Sequence, residues 1–307
     1  MQIFSGSHGI AEPVGPYAVV VGNFDGLHLG HRSLIDEVNR RAEPDGLPTL
    51  AYTFHPHPAS VLSPRGGPAL IEPLELRVER LADSGFNATL IEPFNRDFAK
   101  VTAEEFLTEI LHRRLQAKHV VVGENFRYGN RASGNVAMMI ARGAELGFSA
   151  VGMPMVEIDG APASSTRVRD ALREGHMRLV NTLLGRRFSV TGLVMRGDQR
   201  GTAMGFPTAN VATHYELLPA IGVYAALVNG DFADQPAVVN IGYAPTFSRS
   251  EMKIEAHILD FEPRPLYGKA LEVTFVARIR GEKKFDGPTE LSEQIARDIA
   301  EARAILA

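Results

Sequence analysis

The feature that most constrains the fold is a change of rhythm near Leu184. Before it, strand-like and helix-like segments take turns. "YAVVVGNF", "PTLAYTF", "ATLIEPF", "AKHVVVG" and "FSAVGMPMV" read as strands. "LGHRSLIDEVNRRA", "LELRVERLADSG", "TAEEFLTEILHRRL" and "NVAMMIARGAELG" read as the helices between them. Such alternation predicts a parallel sheet covered on both faces. The run Val120, Val121, Val122 suits a central parallel strand, which is buried on both sides. After Leu184 nearly every segment is strand-like: "RRFSVTGLVM", "GVYAALVNG", "PAVVNIG", "MKIEAHILDF" and "ALEVTFVARIR". In the last of these Leu271, Val273, Phe275, Ala277 and Ile279 share one face. Glu272, Thr274, Arg278 and Arg280 share the other, and Val276 breaks the alternation. Only "TELSEQIARDIAEARAILA" is helical there, with Leu291, Ile295, Ile299 and Leu306 in one apolar stripe. The expectation is an α/β domain over residues 1–183 and, over residues 184–307, a small β-barrel carrying a C-terminal helix.

A chain of 307 residues is long enough for about two domains, each with its own core. The net charge of −4 argues against a nucleic-acid wrapper or a polybasic membrane binder. The absence of cysteine excludes disulfides, thiolate metal sites and a Cys nucleophile, and fits a reducing compartment. "MQIFSGSHGIAEP" has no basic flank followed by an apolar run, so no signal peptide is expected. No apolar stretch approaches the length of a membrane span. These features point to a cytoplasmic protein and suggest neither a nucleic-acid nor a membrane partner. They leave the oligomeric state open.

"GNFDGLHLGH", residues 22–31, lies where a strand gives way to a helix. A helix N-terminus carries unpaired N–H groups and partial positive charge, so it favours phosphate. Gly22 and Gly26 let backbone come close to a ligand. His28 and His31 are three residues apart and share a face if both are helical. Their N–H donors could hold phosphoryl oxygens as charge moves onto them. By itself the pair reads first as a capping loop with two surface histidines. A metal site is a further alternative, although no third ligand is indicated.

In its context the stretch resembles the nucleotidyltransferase superfamily with the signature G-x-F-D-x-x-H-x-G-H. In that family the histidines contact nucleotide phosphates during attack on the α-phosphate. Class I aminoacyl-tRNA synthetases share a related histidine signature but also need a K-M-S-K-S-like loop, and none is found. "SSTRVRDALREG", residues 164–175, supports the transferase resemblance. Ser164 or Ser165 suits an N-cap and Gly175 a helix stop. The stretch resembles the family's S-S-T-x-x-R motif, which grips the triphosphate and the leaving pyrophosphate. Arg169 suits that task because guanidinium offers paired charged donors.

In the second half, "GDQRGTAMGFPTANV" is either a long barrel loop or a glycine-containing cradle for phosphates, with oxygen ligands for Mg²⁺. "GFPTAN", "GVYAALV", "VVNIGYAPTF", "IEAHILDF", "LYG" and "EKKF" follow in that order. This succession resembles the riboflavin kinase domain. Nearly the whole chain therefore resembles the bifunctional prokaryotic riboflavin kinase and FAD synthetase family. The resemblance implies a Rossmann-like nucleotidyltransferase domain followed by a kinase barrel. It also implies two reactions: riboflavin and ATP give FMN and ADP, and FMN and ATP give FAD and pyrophosphate.

The two reactions need different help. The riboflavin 5′-hydroxyl is neutral, and a carboxylate that accepts its proton is useful. Glu255 is the candidate, on the strand face opposite Ile254, Ala256 and Ile258 and shared with His257; a solvated strand glutamate is the plain alternative. The resemblance implies that Gly205, Pro207, Thr208 and Asn210 bind ATP, with Thr208 and Asn210 also holding Mg²⁺. It implies that Arg280, Glu282, Lys284 and Phe285 shape the flavin end. FMN already carries an anionic phosphate, so its attack needs alignment and charge cancellation instead of a base. His28 and His31 are therefore assigned as electrostatic stabilisers. Arg169, Ser165 and Thr166 are assigned to the departing pyrophosphate. Gly22, Asn23, Phe24 and Asp25 are expected to order the turn or meet ATP, with Mg²⁺ bridging phosphates. His57 in "TFHPHPASVL" matches a stretch near the family's nucleotide site and is counted, with Asn125 and Arg127, among the flavin contacts.

Three positions depart from the family pattern. In "GENFRYGNRASGN", Asn125 and Asn135 stand where the family has Asp, which keeps hydrogen bonding and loses charge. Arg196 stands where the kinase loop often has His. Two other readings follow: a kinase with weak or absent adenylyl transfer, and a flavin- or nucleotide-binding regulator on the same folds. A pantetheine or nicotinate mononucleotide adenylyltransferase would leave "GFPTAN" and "IEAHILDF" unexplained.

Overall fold

β-Branched residues buried on both sides build the centre of the first sheet. β2 (Ala18–Val21) is buried along its whole length, with Val19 and Val21 turned to one layer of helices and Ala18 and Val20 to the other. The computed structural model describes residues 1–10, 12–196, 205–243, 252–262 and 264–307. The chain divides into two compact units, Met1–Ser164 and Ser165–Ala307.

In the first unit six parallel strands lie in the order β1–β4–β3–β2–β5–β8. They are β1 (Gln2–Ser5), β2, β3 (Thr49–His55), β4 (Ala88–Pro93), β5 (His119–Gly123) and β8 (Ser149–Met153). Two small ribbons complete the unit, β6 (Arg127–Tyr128) with β7 (Gly134–Asn135) and β9 (Glu157–Ile158) with β10 (Ala161–Pro162). On one face α1 (Leu29–Ala42) buries Leu34, Ile35 and Val38 against Val20, Ala51 and Val121. On the other, α4 (Ala103–Glu105) continues as a wider π-type helix over Phe106–Arg114. That helix packs Phe106, Leu107, Ile110 and Leu111 on Val19, Tyr52 and Leu90. α2 (Pro58–Leu62), α3 (Leu74–Asp83) and α5 (Val136–Leu146) fill the remaining connections. The order reverses between β2 and β5, and in open α/β sheets ligands bind at the carboxyl ends of strands at such a point. The turn 22–28 leaves β2 there. The edge strand β1 was not expected from sequence: its side chains are largely exposed and show no apolar pattern.

The second unit is led by α6 (Ser165–Glu174) and α7 (Met177–Leu184), which the sequence expectation counts with residues 1–183. Here they pack with the barrel. Asn181 Nδ2 donates to Phe275 O at 3.1 Å, and its Oδ1 accepts from Phe188 N at 2.8 Å. Ala220 N donates to Leu172 O at 2.8 Å. β11 (Phe188–Met195), β12 (Ala209–Ala212), β13 (Gly222–Asn229), β14 (Gln235–Tyr243), β15 (Met252–Ile258) and β16 (Ala270–Arg280) close an antiparallel barrel in the order β11–β12–β15–β14–β13–β16. Inside it Phe188 stacks on Phe275, and Tyr224 meets Phe275 edge-on. α8 (Pro288–Leu306) lays Ile299, Ala302 and Leu306 against Val223, Ala225, Val238 and Leu259. β12 lies within a stretch that sequence alone leaves as loop or cradle. Four residues behind a Gly-Phe-Pro turn show too little alternation to reveal a strand.

Candidate functional site

The turn from β2 into α1 is held in an unusual conformation. Phe24, Gly26 and Leu27 all have left-handed backbones, with φ of 51°, 81° and 37°. Two of these are large L-residues, so the surroundings must over-determine the turn. Phe24 is fully buried beneath it. The Asp25 carboxylate, 1% exposed, accepts Ile71 N at 3.0 Å and Glu72 N at 3.4 Å. The Asn23 carbonyl accepts from Thr53 Oγ1 and from Arg77 Nη1, each at 3.1 Å. From sequence, Phe24 and Asp25 are expected to order the turn or meet ATP. Both side chains are buried, Phe24 beneath the turn and Asp25 on the amides of residues 71 and 72, so they order it.

His28 is the N-cap of α1. Its Nδ1 accepts the His31 backbone N–H at 3.3 Å, which leaves the proton of the neutral ring on Nε2. The His31 ring stacks on it at 3.8 Å between centroids, and Phe24 meets His31 edge-on at 5.3 Å. Gly30 makes room for this pair: a Cβ there would sit 2.9 Å from Ala163 O and 3.0 Å from His28 Cε1. Two ordered imidazoles at the start of a 14-residue helix form a set of donors suited to an anion. Among the described residues, no group of three or more His, Cys, Asp or Glu is placed to hold a metal ion.

Arg77 and Glu72 were missed from sequence. Arg77 is 2% exposed and also donates to Phe54 O, while Glu72 is 1% exposed and pairs with Arg80 at 2.8 Å. The signal was present: in "LELRVERL", Arg77 occupies the apolar stripe between Leu74 and Leu81.

Beside the turn a cavity of about 860 Å³ opens between Phe54, Phe94, Phe98, Phe126 and Tyr128. Asn23, Asn125 and Arg127 line it together, as do Arg96 and Arg131. His57 caps α2 through Nδ1, which accepts Ala59 N at 3.1 Å, and its Nε2 lies 3.3 Å from the Asn23 amide. The structure thus brings Asn23, His57, Asn125 and Arg127 to one place. Asn135 caps α5, accepting Met138 N at 2.9 Å, a task at which Asn equals Asp.

Ser165 and Thr166 open α6, and Arg169 lies on its buried side at 5% exposure. Gly175, in the left-handed region at φ 75°, ends the helix. Its N–H bonds Leu172 O and the next N–H, of His176, bonds Ala171 O.

In the barrel, Glu255 on β15 is the register partner of Asn210 on β12 and of Asn240 on β14. Asn240 Nδ2 faces Glu255 Oε2 at 3.5 Å. Ile254, Ala256 and Ile258 are buried on the opposite face, as the alternation predicts. His257 Nδ1 donates to Pro207 O at 2.8 Å and fixes the approach to Thr208. Asn210 on β12 and Glu255 on the adjacent β15 therefore lie side by side, with Pro207 and Thr208 leading into β12 beside His257. Gly205 begins this approach, while Arg196 and the rest of the expected cradle meet the undescribed segment 197–204. Asn240 was not singled out from "VVNIG", because only the pairing register places it against the carboxylate. Arg280 is expected from sequence at the flavin end. Its guanidinium grips the buried Asp298 of α8 at 2.8–3.1 Å and lies over the Phe285 ring, so it ties the helix to the barrel. Glu282 is exposed beyond it.

The FAD synthetase family model matches residues 12–167, and the riboflavin kinase family model matches residues 184–306. A protein of Escherichia coli (strain K12) named bifunctional riboflavin kinase/FMN adenylyltransferase is 35% identical over 305 residues, covering 99% of this chain and 97% of its own. A relative of the same name in Bacillus subtilis (strain 168) is 38% identical, covering 96% and 94%. A solved structure described as "Crystal Structure of Macrolide-efflux Protein from Streptococcus pneumoniae" superposes with a TM-score of 0.90 at 29% identity over 99% of both chains. Among the described residues no helix is long and apolar enough to cross a membrane. Both enzyme domains are present in order and the relatives match over nearly their full length, so the chain belongs to the bifunctional riboflavin kinase/FMN adenylyltransferase family.

Proposed function

We propose that the chain makes FMN and then FAD in the cytoplasm, with the two chemistries divided between residues 1–183 and residues 184–307. The observation that carries the reading is a separate constellation for each reaction. One is a carboxylate flanked by two amides, and the other is a stacked imidazole pair beside an aromatic cavity.

In the kinase reaction the Glu255 carboxylate accepts the proton of the riboflavin 5′-hydroxyl. The oxygen bonds to the γ-phosphorus of ATP, and ADP leaves. Thr208 Oγ1 and Asn210 Oδ1 are hard oxygen donors where β12 begins beside the strand of Glu255, a donor set that fits Mg²⁺. Together with the ATP phosphates they would hold that ion, which supplies charge neutralisation at the phosphates. Gly205 and Pro207 shape the approach for ATP, and Glu282 and Phe285 border the flavin end.

In adenylyl transfer an FMN phosphate oxygen bonds to the α-phosphorus of ATP and pyrophosphate leaves. No proton has to move. The aromatic cavity receives the flavin ring, with Asn125 and Arg127 at its wall. Asn23 belongs both to this cavity and to the turn that ends in His28, so it marks the end where the FMN phosphate lies. His28 Nε2–H and the His31 ring stabilise charge as it builds on the phosphoryl oxygens, and Gly22 admits ATP to the turn. Ser165, Thr166 and Arg169 take the pyrophosphate.

The test is to incubate the purified chain with ATP and Mg²⁺ and either riboflavin or FMN, then separate the flavins. FMN and FAD are expected from riboflavin, and FAD from FMN. No FAD from supplied FMN rejects the transferase half of the reading.

A further inference from the structure

We propose that Arg278, on the barrel strand β16, is a positioning residue for adenylyl transfer. It fixes the helix α6 that carries Ser165, Thr166 and Arg169. The inference rests on the reading of α6 as the pyrophosphate grip.

The C-terminal carbonyls of a helix lack partners within the helix and form its negative end. In α6 the Gly175 turn satisfies Ala171 O and Leu172 O. The Glu174 carbonyl is met from outside the helix: Arg278 Nη1 donates to it at 3.3 Å. The other arm of the same guanidinium, Nη2, donates to Ile221 O at 2.6 Å. Arg278 therefore bridges the end of α6 and the segment leading into β13. That segment is itself anchored. The Tyr224 hydroxyl donates to Ala220 O, and Ala220 N returns a bond to Leu172 O of α6 at 2.8 Å.

Two glycines keep the track of this side chain clear. A Cβ on Gly175 would sit 2.9 Å from Arg278 Cδ, and one on Gly222 would sit 2.9 Å from Arg278 Nε. Arg169 lies about 7.5 Å along the helix axis from Glu174, so tilt or slip at the capped end is passed to it directly. Displacement of a substrate-binding group by about 1 Å can cost orders of magnitude in rate. A residue of the kinase barrel thus sets the geometry of a group used by the other reaction.

The experiment uses the full chain as Arg278→Ala, Arg278→Lys and Arg169→Ala. Each is assayed for FAD formation from supplied FMN at varied ATP and, separately, for riboflavin phosphorylation. Arg278→Ala is expected to raise KM for ATP in FAD formation about tenfold, the loss of one charged hydrogen bond. Riboflavin phosphorylation should stay within about twofold, which also shows that the barrel is folded. Arg278→Lys keeps one charged donor and should recover part of the loss. If Arg169→Ala is inactive in FAD formation while Arg278→Ala matches wild type, the inference fails and the reading of α6 stands. Loss of both activities in Arg278→Ala also overturns it, because the arginine would then serve the barrel as a whole. If Arg169→Ala forms FAD normally, the reading of α6 falls and the inference falls with it.

Discussion

His28 and His31 stack with ring centroids 3.8 Å apart and planes 22° from parallel, and Gly30 between them leaves no room for a side chain. Gly30→Ala separates helix propensity from ring placement. In an exposed helix the change would gain about 1 kcal/mol. Here the new methyl would press on His28 Cε1 and Ala163 O. FAD formation from FMN is expected to fall by roughly tenfold or more, while riboflavin phosphorylation is unchanged. Steady-state assays of both reactions on the same preparation check this.

Asn240 and Asn210 flank Glu255 across the barrel, and Asn240 reaches the carboxylate. Asn240→Ala removes one donor that orients the base. The kinase kcat is expected to drop by roughly three- to tenfold, the worth of one hydrogen bond. FAD formation from supplied FMN should not change. A kcat equal to wild type would mean that Glu255 needs no support from β14.

The Asn135 side chain caps α5. Asn135→Ala is expected to cost about 1 kcal/mol of stability, and Asn135→Asp almost nothing. Denaturant unfolding followed by a probe in the first unit measures both. Equal losses in the two variants would assign Asn135 a role other than capping.

On α1 the Arg40 guanidinium hydrogen-bonds Glu37 through two nitrogens, Arg41 adds a third bond, and the Glu37 carboxyl is held down at about 2 against an ordinary 4.5. The folded value is depressed, so this contribution is complete above about pH 4.5 and is lost as pH falls through about 2. Glu37→Gln should make stability less steeply pH-dependent within that window and leave the pH dependence above it unchanged. Urea midpoints measured across the window test it. A parallel pair of curves would contradict the assignment.

The parallel sheet was legible because strands buried on both faces carry unbroken valine runs, as in β2 and β5. The barrel was legible from period-two alternation, clearest in β15 and β16. Short or exposed strands leave no such trace, which is why β1 and β12 escaped. At the turn, the spacing of His28 and His31 was readable. The inward rotation of Phe24 and Asp25 was not, because it depends on three left-handed residues and on amides at residues 71 and 72. Asp298, the partner of Arg280, lies on a helix after an intervening loop, and one-sequence patterning does not report such a pairing. Arg77 left a weak mark as a charge on an apolar stripe, and Asn240 left none.

The most direct measurement is product separation for two variants of the full chain, each supplied with ATP, Mg²⁺ and either riboflavin or FMN. Glu255→Gln should form no FMN from riboflavin yet still convert FMN to FAD. The double variant His28→Ala with His31→Ala should accumulate FMN without FAD. Loss of both activities in either variant would contradict two independent constellations serving two reactions.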